Sequence, residues 1–300
     1  MPLISTTTTT TTWTCPVCGG TDTRRLLGGL NSVYSRVSYD VIECSTCTHK
    51  FTDPVPDPSD LDEIYDERYA YEAHALILRE KLVRVRRNAA FVASFPGVNS
   101  VLEVGCMYGL LLEELTKLGK QARGVELSAD AAAVCRSKGL QVENCSLEDF
   151  TAGSHERFDA VVMSHLLEHI SKPSEQIAKL SSLLNEHGIL VINVPNANAR
   201  TRRLFGRFWG WWQVPVHVHH FTEASLTRVL EGQGFRVRGV RHFGADSLLY
   251  LLSAANVCGL KSRRSTLSRA NKWIIKWFST LVGPLAKFGD EELSVAAEKI

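Results

Sequence analysis

Val101-Leu-Glu-Val-Gly-Cys-Met-Tyr-Gly-Leu110 is followed, after one helix's worth of chain, by Gly124-Val-Glu-Leu-Ser128. An apolar run, a turn carrying two glycines, an amphipathic stretch and a second apolar run that closes on an acid read as two parallel strands joined by a crossover helix. The same alternation continues from Asn99 onward. It predicts strands near 100–104, 121–126, 140–144, 158–163, 188–194 and 234–242, with helices between them, and a last strand over Glu292–Lys299. Gly139 and Gly188 stand where a helix is expected to hand over to a strand. Seven strands with intervening helices make an α/β fold.

The glycine spacing discriminates between ligands for such a unit. A dinucleotide turn needs G-x-G-x-x-G, so that a pyrophosphate can approach the backbone at the helix N-terminus. Met107 and Leu110 occupy the second and third glycine positions here, which excludes it. The remaining pattern, Glu103-x-Gly105-x-x-x-Gly109, resembles motif I of the class I S-adenosylmethionine-dependent methyltransferases. The resemblance implies a seven-stranded Rossmann-like sheet whose seventh strand is antiparallel and lies between the fifth and sixth. It also implies cofactor contacts: Glu103, Gly105, Cys106 and Gly109 in the first turn, Glu126 on the ribose hydroxyls with Leu127 beside it, Ser146 and Leu147 near adenine, and Ser164 at the end of the fourth strand. Met107 departs from many family members, which carry glycine there, and its side chain is expected to narrow the loop.

Two C-x-x-C pairs, Cys15/Cys18 and Cys44/Cys47, bracket 25 residues (19–43) with alternating apolar positions. Four thiolates at that spacing close a tetrahedral zinc shell, so a structural Zn(Cys)4 ribbon is expected. His49 is a weaker alternative ligand. The other cysteines, Cys106, Cys135, Cys145 and Cys258, are scattered through core-like segments, which fits a reducing cytoplasm rather than a disulfide framework. Residues 1–14 contain a threonine tract and no apolar leader, and are expected to be disordered.

The expected organisation is a tail at 1–14, the ribbon at 15–58, a helical cover at 59–96, the methyltransferase domain at 97–245 and 291–300, and a helical insertion at 246–290 before the last strand. Tyr65, Tyr69 and Tyr71 in the cover would shield the cofactor or simply pack. Arg84, Arg86 and Arg87 read as a solvated helix face. The insertion mixes basic residues with Trp273-Ile-Ile-Lys-Trp-Phe278, which suits peripheral membrane contact or an ordinary lid; neither of its apolar runs reaches the ~20 residues that span a bilayer.

Chemistry is expected at the carboxyl ends of the strands. Phe158–Ile170 ends in His165-Leu-Leu-Glu168-His169, and a helix there would put those three side chains on one face. His165 and His169 are candidate general bases. The segment resembles the ubiquinone-biosynthesis O-methyltransferases, whose Glu-x-x-Glu-His pattern implies a divalent metal. A metal at His165, Glu168 and His169 is therefore an alternative, weakened for magnesium by the nitrogen that replaces the first carboxylate. Further along, Arg200–Trp212 is rich in arginine and tryptophan, and His217-Val-His219-His220 follows it; His219 and His220 are further candidate bases or acceptor contacts. The acceptor is expected to be a small polar molecule: a sugar or nucleotide-linked sugar in polysaccharide or natural-product assembly, or a related polar metabolite. RNA and a non-catalytic binding role are the alternatives; a net charge of +2 is too near neutral to argue for nucleic acid by itself.

Overall fold

A computed structural model describes residues 12–31, 37–56, 78–153, 156–244, 253 and 289–300. Residues 6–11 of the threonine tract, Tyr65, Tyr69, Tyr71 and nearly all of the 246–290 insertion lie outside these residues.

The main sheet has seven strands: β4 (Ser100–Val104), β5 (Gln121–Val125), β6 (Gln141–Glu143), β7 (Phe158–Ser164), β8 (Leu184–Pro195), β10 (Phe235–Phe243) and β11 (Glu292–Lys299). Their order across the sheet is β10-β11-β8-β7-β4-β5-β6. Strands β4 to β8 are parallel, and β11 runs antiparallel between β8 and β10. This is the seventh-strand placement that the resemblance implied. The chain leaves β4 towards β5 and β6, then crosses to β7 on the other side. The ends of β4 and β7 therefore flank the switch point where open α/β sheets bind ligands.

Helix α1 (Leu78–Ala93) precedes β4, and α2 (Leu110–Lys117) and α3 (Ala129–Ser137) are the crossovers to β5 and β6. α2 turns Leu111, Leu112 and Leu115 onto the sheet, each worth roughly 1.5–3 kcal/mol on full burial. α4 (Leu147–Gly153), α5 (Pro173–Ser182), the short α6 (Arg200–Phe205) and α7 (Glu223–Gly232) are the remaining α-helices among the described residues. α5 opens on proline, whose missing N–H costs nothing in a first turn; α7 opens on a Thr222/Ser225 capping box. Gly188 lies inside β8, four residues after it begins, so the expected helix-to-strand handover there is a strand that starts earlier than its apolar run.

A second sheet, β1-β2-β3-β9, is built from β1 (Thr23–Asn31), β2 (Ser38–Cys44), β3 (Lys50–Asp53) and β9 (His219–His220). Its fourth strand comes from the loop region after β8, pairing Phe51 with His219 and Lys50 with His220. The N-terminal hairpin is thus continued by a strand from far along the chain. Trp209, Trp211 and Trp212 pack with Leu30 and Val41 of the hairpin. The tryptophans of the Arg/Trp stretch are core, while Phe208 is exposed.

Candidate cofactor and acceptor site

The β4 turn is made possible by positive φ at Gly105 (73°), Met107 (48°) and Gly109 (75°). A Cβ on Gly105 would sit 2.9 Å from Leu166 Cδ2, and one on Gly109 would collide with Leu140 and Cys135. Met107 accepts the left-handed conformation usually left to glycine, at a cost of about 1–2 kcal/mol. Its side chain is 39% exposed, so it lies outward. The Met107 carbonyl accepts from Cys135 Sγ at 3.1 Å.

Glu126, just past β5, is buried and takes the backbone N–H of Met107 on Oε2 (2.8 Å) and that of Ser128 on Oε1 (2.8 Å). The carboxylate joins the two cofactor-side loops. Glu103 lies buried below with Oε2 unpartnered; burial, aided by the Glu126 charge, pushes its pKa well above the usual carboxylate range. A buried carboxyl oxygen without a partner, two residues before a glycine turn with no room for a Cβ, fits the amino acid end of S-adenosylmethionine. Cys106 is buried behind the turn, where its Sγ would meet a Cβ on Gly124. Leu127 is exposed, Leu147 is buried, and Ser146 caps its own turn through Asp149. Ser164 Oγ accepts from Asn193 Nδ2 at 2.8 Å.

After β7 the backbone turns at His165 (φ 51°) into a single 3-10 turn, Leu167–His169. No helix starts at His165, so the expected shared helical face is replaced by a strand-end cluster. His165 Nε2 lies 2.7 Å from Glu292 Oε2, and its Nδ1 lies 3.4 Å from Glu168 Oε1. Burial opposes protonation of His165, but the Glu168 and Glu292 carboxylates on either side hold its pKa up at about 9. Glu292, fully buried at the start of β11, also meets Arg84 Nε (3.2 Å) and Asn88 Nδ2 (3.1 Å). Arg84 therefore reaches inward instead of forming part of a solvated face. The imidazole of His165 stays 29% accessible and meets Trp211 edge-on, with ring centres 5.4 Å apart.

Glu168 is buried and neither carboxylate oxygen has a hydrogen-bond partner. Burial raises its pKa, yet the imidazoles of His165, His169 and His217 around it prevail and hold it at about 2. His169 and His217 stack edge to face at 4.8 Å. Among the described residues Glu168, His169 and His217 form one of two groups whose geometry could hold a metal ion. His165 is not a member, and His217, which the sequence leaves out of the candidate bases, takes its place. The residues do not fit the hard-cation pattern implied by Glu-x-x-Glu-His.

His219 and His220 are buried in β9. His219 Nδ1 lies 3.0 Å from His49 Nε2, and His220 Nε2 lies 3.1 Å from Thr52 Oγ1. Burial lowers the His219 pKa to about 4 and those of His49 and His220 well below the usual value. All three rings are neutral and closed off from an entering acceptor.

The other group is Cys15, Cys18, Cys44 and Cys47, whose sulfurs lie within 4.8 Å of one another. Two of the contacts, Cys15–Cys47 and Cys18–Cys44, are 3.6 Å. Tetrahedral Zn–S bonds of about 2.3 Å place sulfurs roughly 3.8 Å apart, so the four residues fit zinc. His49 faces His219 instead.

A family model described as a methyltransferase domain matches residues 68–240. The ubiquinone biosynthesis O-methyltransferase of Xanthomonas campestris pv. campestris (strain B100) is 38% identical over 149 residues, covering 47% of this chain and 62% of that protein. Its counterpart in Xanthomonas axonopodis pv. citri is 31% identical over 157 residues, covering 48% of this chain and 66% of that protein. The chain thus spans less than two thirds of the length of these curated relatives. Among solved structures, a SAM-dependent methyltransferase from Archaeoglobus fulgidus superposes with a TM-score of 0.53 at 21% identity, covering 77% of this chain and 100% of that one, which shows the fold. With the strand order, the glycine turn and the family match in agreement, the chain belongs to the methyltransferase domain family of class I S-adenosylmethionine-dependent methyltransferases.

Proposed function

We propose that this chain transfers a methyl group from S-adenosylmethionine to a hydroxyl of a small ring-bearing acceptor, an O-methylation of the kind named in its ubiquinone-biosynthesis relatives. The observation that carries the reading is the Glu126 carboxylate held between the Met107 and Ser128 amides, with the buried Glu103 Oε2 left without a partner. Bound S-adenosylmethionine supplies a sulfonium methyl open to in-line attack. Glu126 is then placed to accept from both ribose hydroxyls, and Glu103 to take the ammonium of the methionine end, which draws its carboxyl back to the ionised form.

The acceptor side is the end of β7. Both ring nitrogens of His165 already face carboxylates, so we assign it to orienting the acceptor through its accessible edge, and we place the acceptor hydroxyl against the Glu168, His169 and His217 cluster. Alignment and exclusion of water are the main catalytic contributions expected of such a site. The sugar expectation draws no support from the relatives. We also propose a structural zinc at the four cysteines, and the organisation expected from the sequence, with the added pairing of β3 to β9.

The test is to incubate the purified chain with S-adenosylmethionine and two pools, catechol-type phenols and nucleotide sugars, and to follow products by mass. A gain of one methyl on a phenol supports the reading, and a gain confined to the sugars overturns its acceptor class.

A further inference from the structure

We propose that Glu168, His169 and His217 bind one divalent ion of the zinc class, through two imidazole nitrogens and a carboxylate, in place of the magnesium that the Glu-x-x-Glu-His resemblance implies. Three observations carry it. The Glu168 carboxylate is 1% exposed and neither oxygen makes a hydrogen bond; the His165 imidazole, 3.4 Å from Oε1, balances charge on one side only and leaves lone pairs that a cation would complete. His169 Nδ1 faces the Val216 carbonyl at 3.1 Å and His217 Nδ1 faces the Trp211 carbonyl at 2.9 Å. A carbonyl only accepts, so both Nδ1 atoms donate, and the neutral form of each ring presents its Nε2 lone pair, the tautomer and second-sphere bonding of metal-bound histidines. The donor atoms lie within 4.8 Å of one another, with His169 Nε2 3.9 Å from Glu168 Oε1; a side-chain adjustment of about 1 Å brings them to the spacing set by bonds of about 2.0–2.2 Å.

The chain brings these donors together from two places. Glu168 and His169 sit on the 3-10 turn after β7, and His217 comes from the segment leading into β9. The Val218 amide donates to the Glu168 carbonyl at 2.9 Å and locks the two together. Two nitrogens and one oxygen suit a borderline ion and suit magnesium poorly. Three protein ligands leave a position open, and the His169 side chain, 18% accessible, marks the side from which an acceptor oxygen would reach it. That role rests on the proposed function, whereas binding of the ion does not.

The experiment titrates the purified full chain with cobalt(II) and reads the absorption spectrum. Two equivalents are expected: one with the intense sulfur-to-cobalt bands of the four-cysteine site, and one with weak ligand-field bands and no sulfur character. His217→Ala and Glu168→Gln should each weaken the second at least tenfold and leave the sulfur bands, which serve as the control for folding. In wild-type protein carrying 15N-labelled histidine, a second zinc equivalent should shift two Nε2 resonances, a readout that needs no variant. A single sulfur-bound equivalent, a second equivalent unaffected by either substitution, or its displacement by excess magnesium would overturn the proposal. Calorimetry with S-adenosylmethionine on the same sample separates the two readings: a chain that binds the second ion and not the cofactor contradicts the proposed function alone.

Discussion

Glu292 Oε2 and His165 Nε2 lie 2.7 Å apart and tie the first residue of the last strand to the end of β7. With Arg84 and Asn88 of α1 on the same carboxylate, one buried group joins three elements across the switch point. Removing one partner of such a buried network typically costs about 3–5 kcal/mol, because the remaining charges lose their compensation. Glu292→Ala should therefore lower stability by about 3 kcal/mol in chemical denaturation, and Glu292→Gln by less. A loss below about 1 kcal/mol for the alanine variant would show that the network is not coupled.

Acid should loosen the seam between the second sheet and α7, where His49 meets Ser225. His49, His219 and His220 are buried neutral, with His219 held at about 4, whereas the unfolded chain protonates its histidines near 6.5. Below that value the unfolded state binds more protons, so stability is complete above about pH 6.5 and falls as pH drops towards 4. Each imidazole contributes at most about 1.4 kcal/mol per pH unit. Denaturation midpoints measured between pH 7 and 5 should decline, and His219→Asn should flatten the decline; an equal slope in the variant would contradict the assignment.

Met107→Gly should be nearly neutral. Relief of left-handed strain, about 1 kcal/mol, is offset by the greater freedom of glycine in the unfolded chain, about 0.5–1 kcal/mol. Because the side chain lies outward, affinity for S-adenosylmethionine should change less than threefold by calorimetry. A tenfold gain would mean that Met107 narrows the loop after all.

The ribbon's core is small: Ile42 and Phe51 are its main non-cysteine members, so the metal is expected to hold it. Cys44→Ser should abolish tight zinc binding and speed amide exchange in β2, β3 and β9, because β9 is the pairing partner of β3. Amides of β4, β7 and β8 should keep their protection. Unchanged exchange in β9 would contradict the pairing.

Much of this was legible in the sequence because it is local. The strands of the main sheet announce themselves by apolar runs of strand length, and the glycine turn by residues that need left-handed backbone. What escaped depends on long-range pairing. His219–His220 became the edge of a sheet whose other strands lie in residues 23–53. Arg84 faced inward because Glu292, a carboxylate opening an apolar strand, waited there; that acid at a buried strand end was the available signal. His165 left its expected helix because the chain turns at left-handed φ, and His217 joined the cluster through a backbone bond from Val218 to Glu168 that no local pattern encodes.

The central claim is that Glu126 and the β4 turn bind S-adenosylmethionine, and calorimetry with that compound and its demethylated product on wild type, Glu126→Gln and Glu126→Ala tests it most directly. Two hydrogen bonds to a buried carboxylate are worth about 1.5–3 kcal/mol each, so Glu126→Ala should bind at least about tenfold more weakly, and Glu126→Gln, which keeps one acceptor oxygen, should fall between. Equal affinity in all three proteins, or no binding by wild type, would contradict the account.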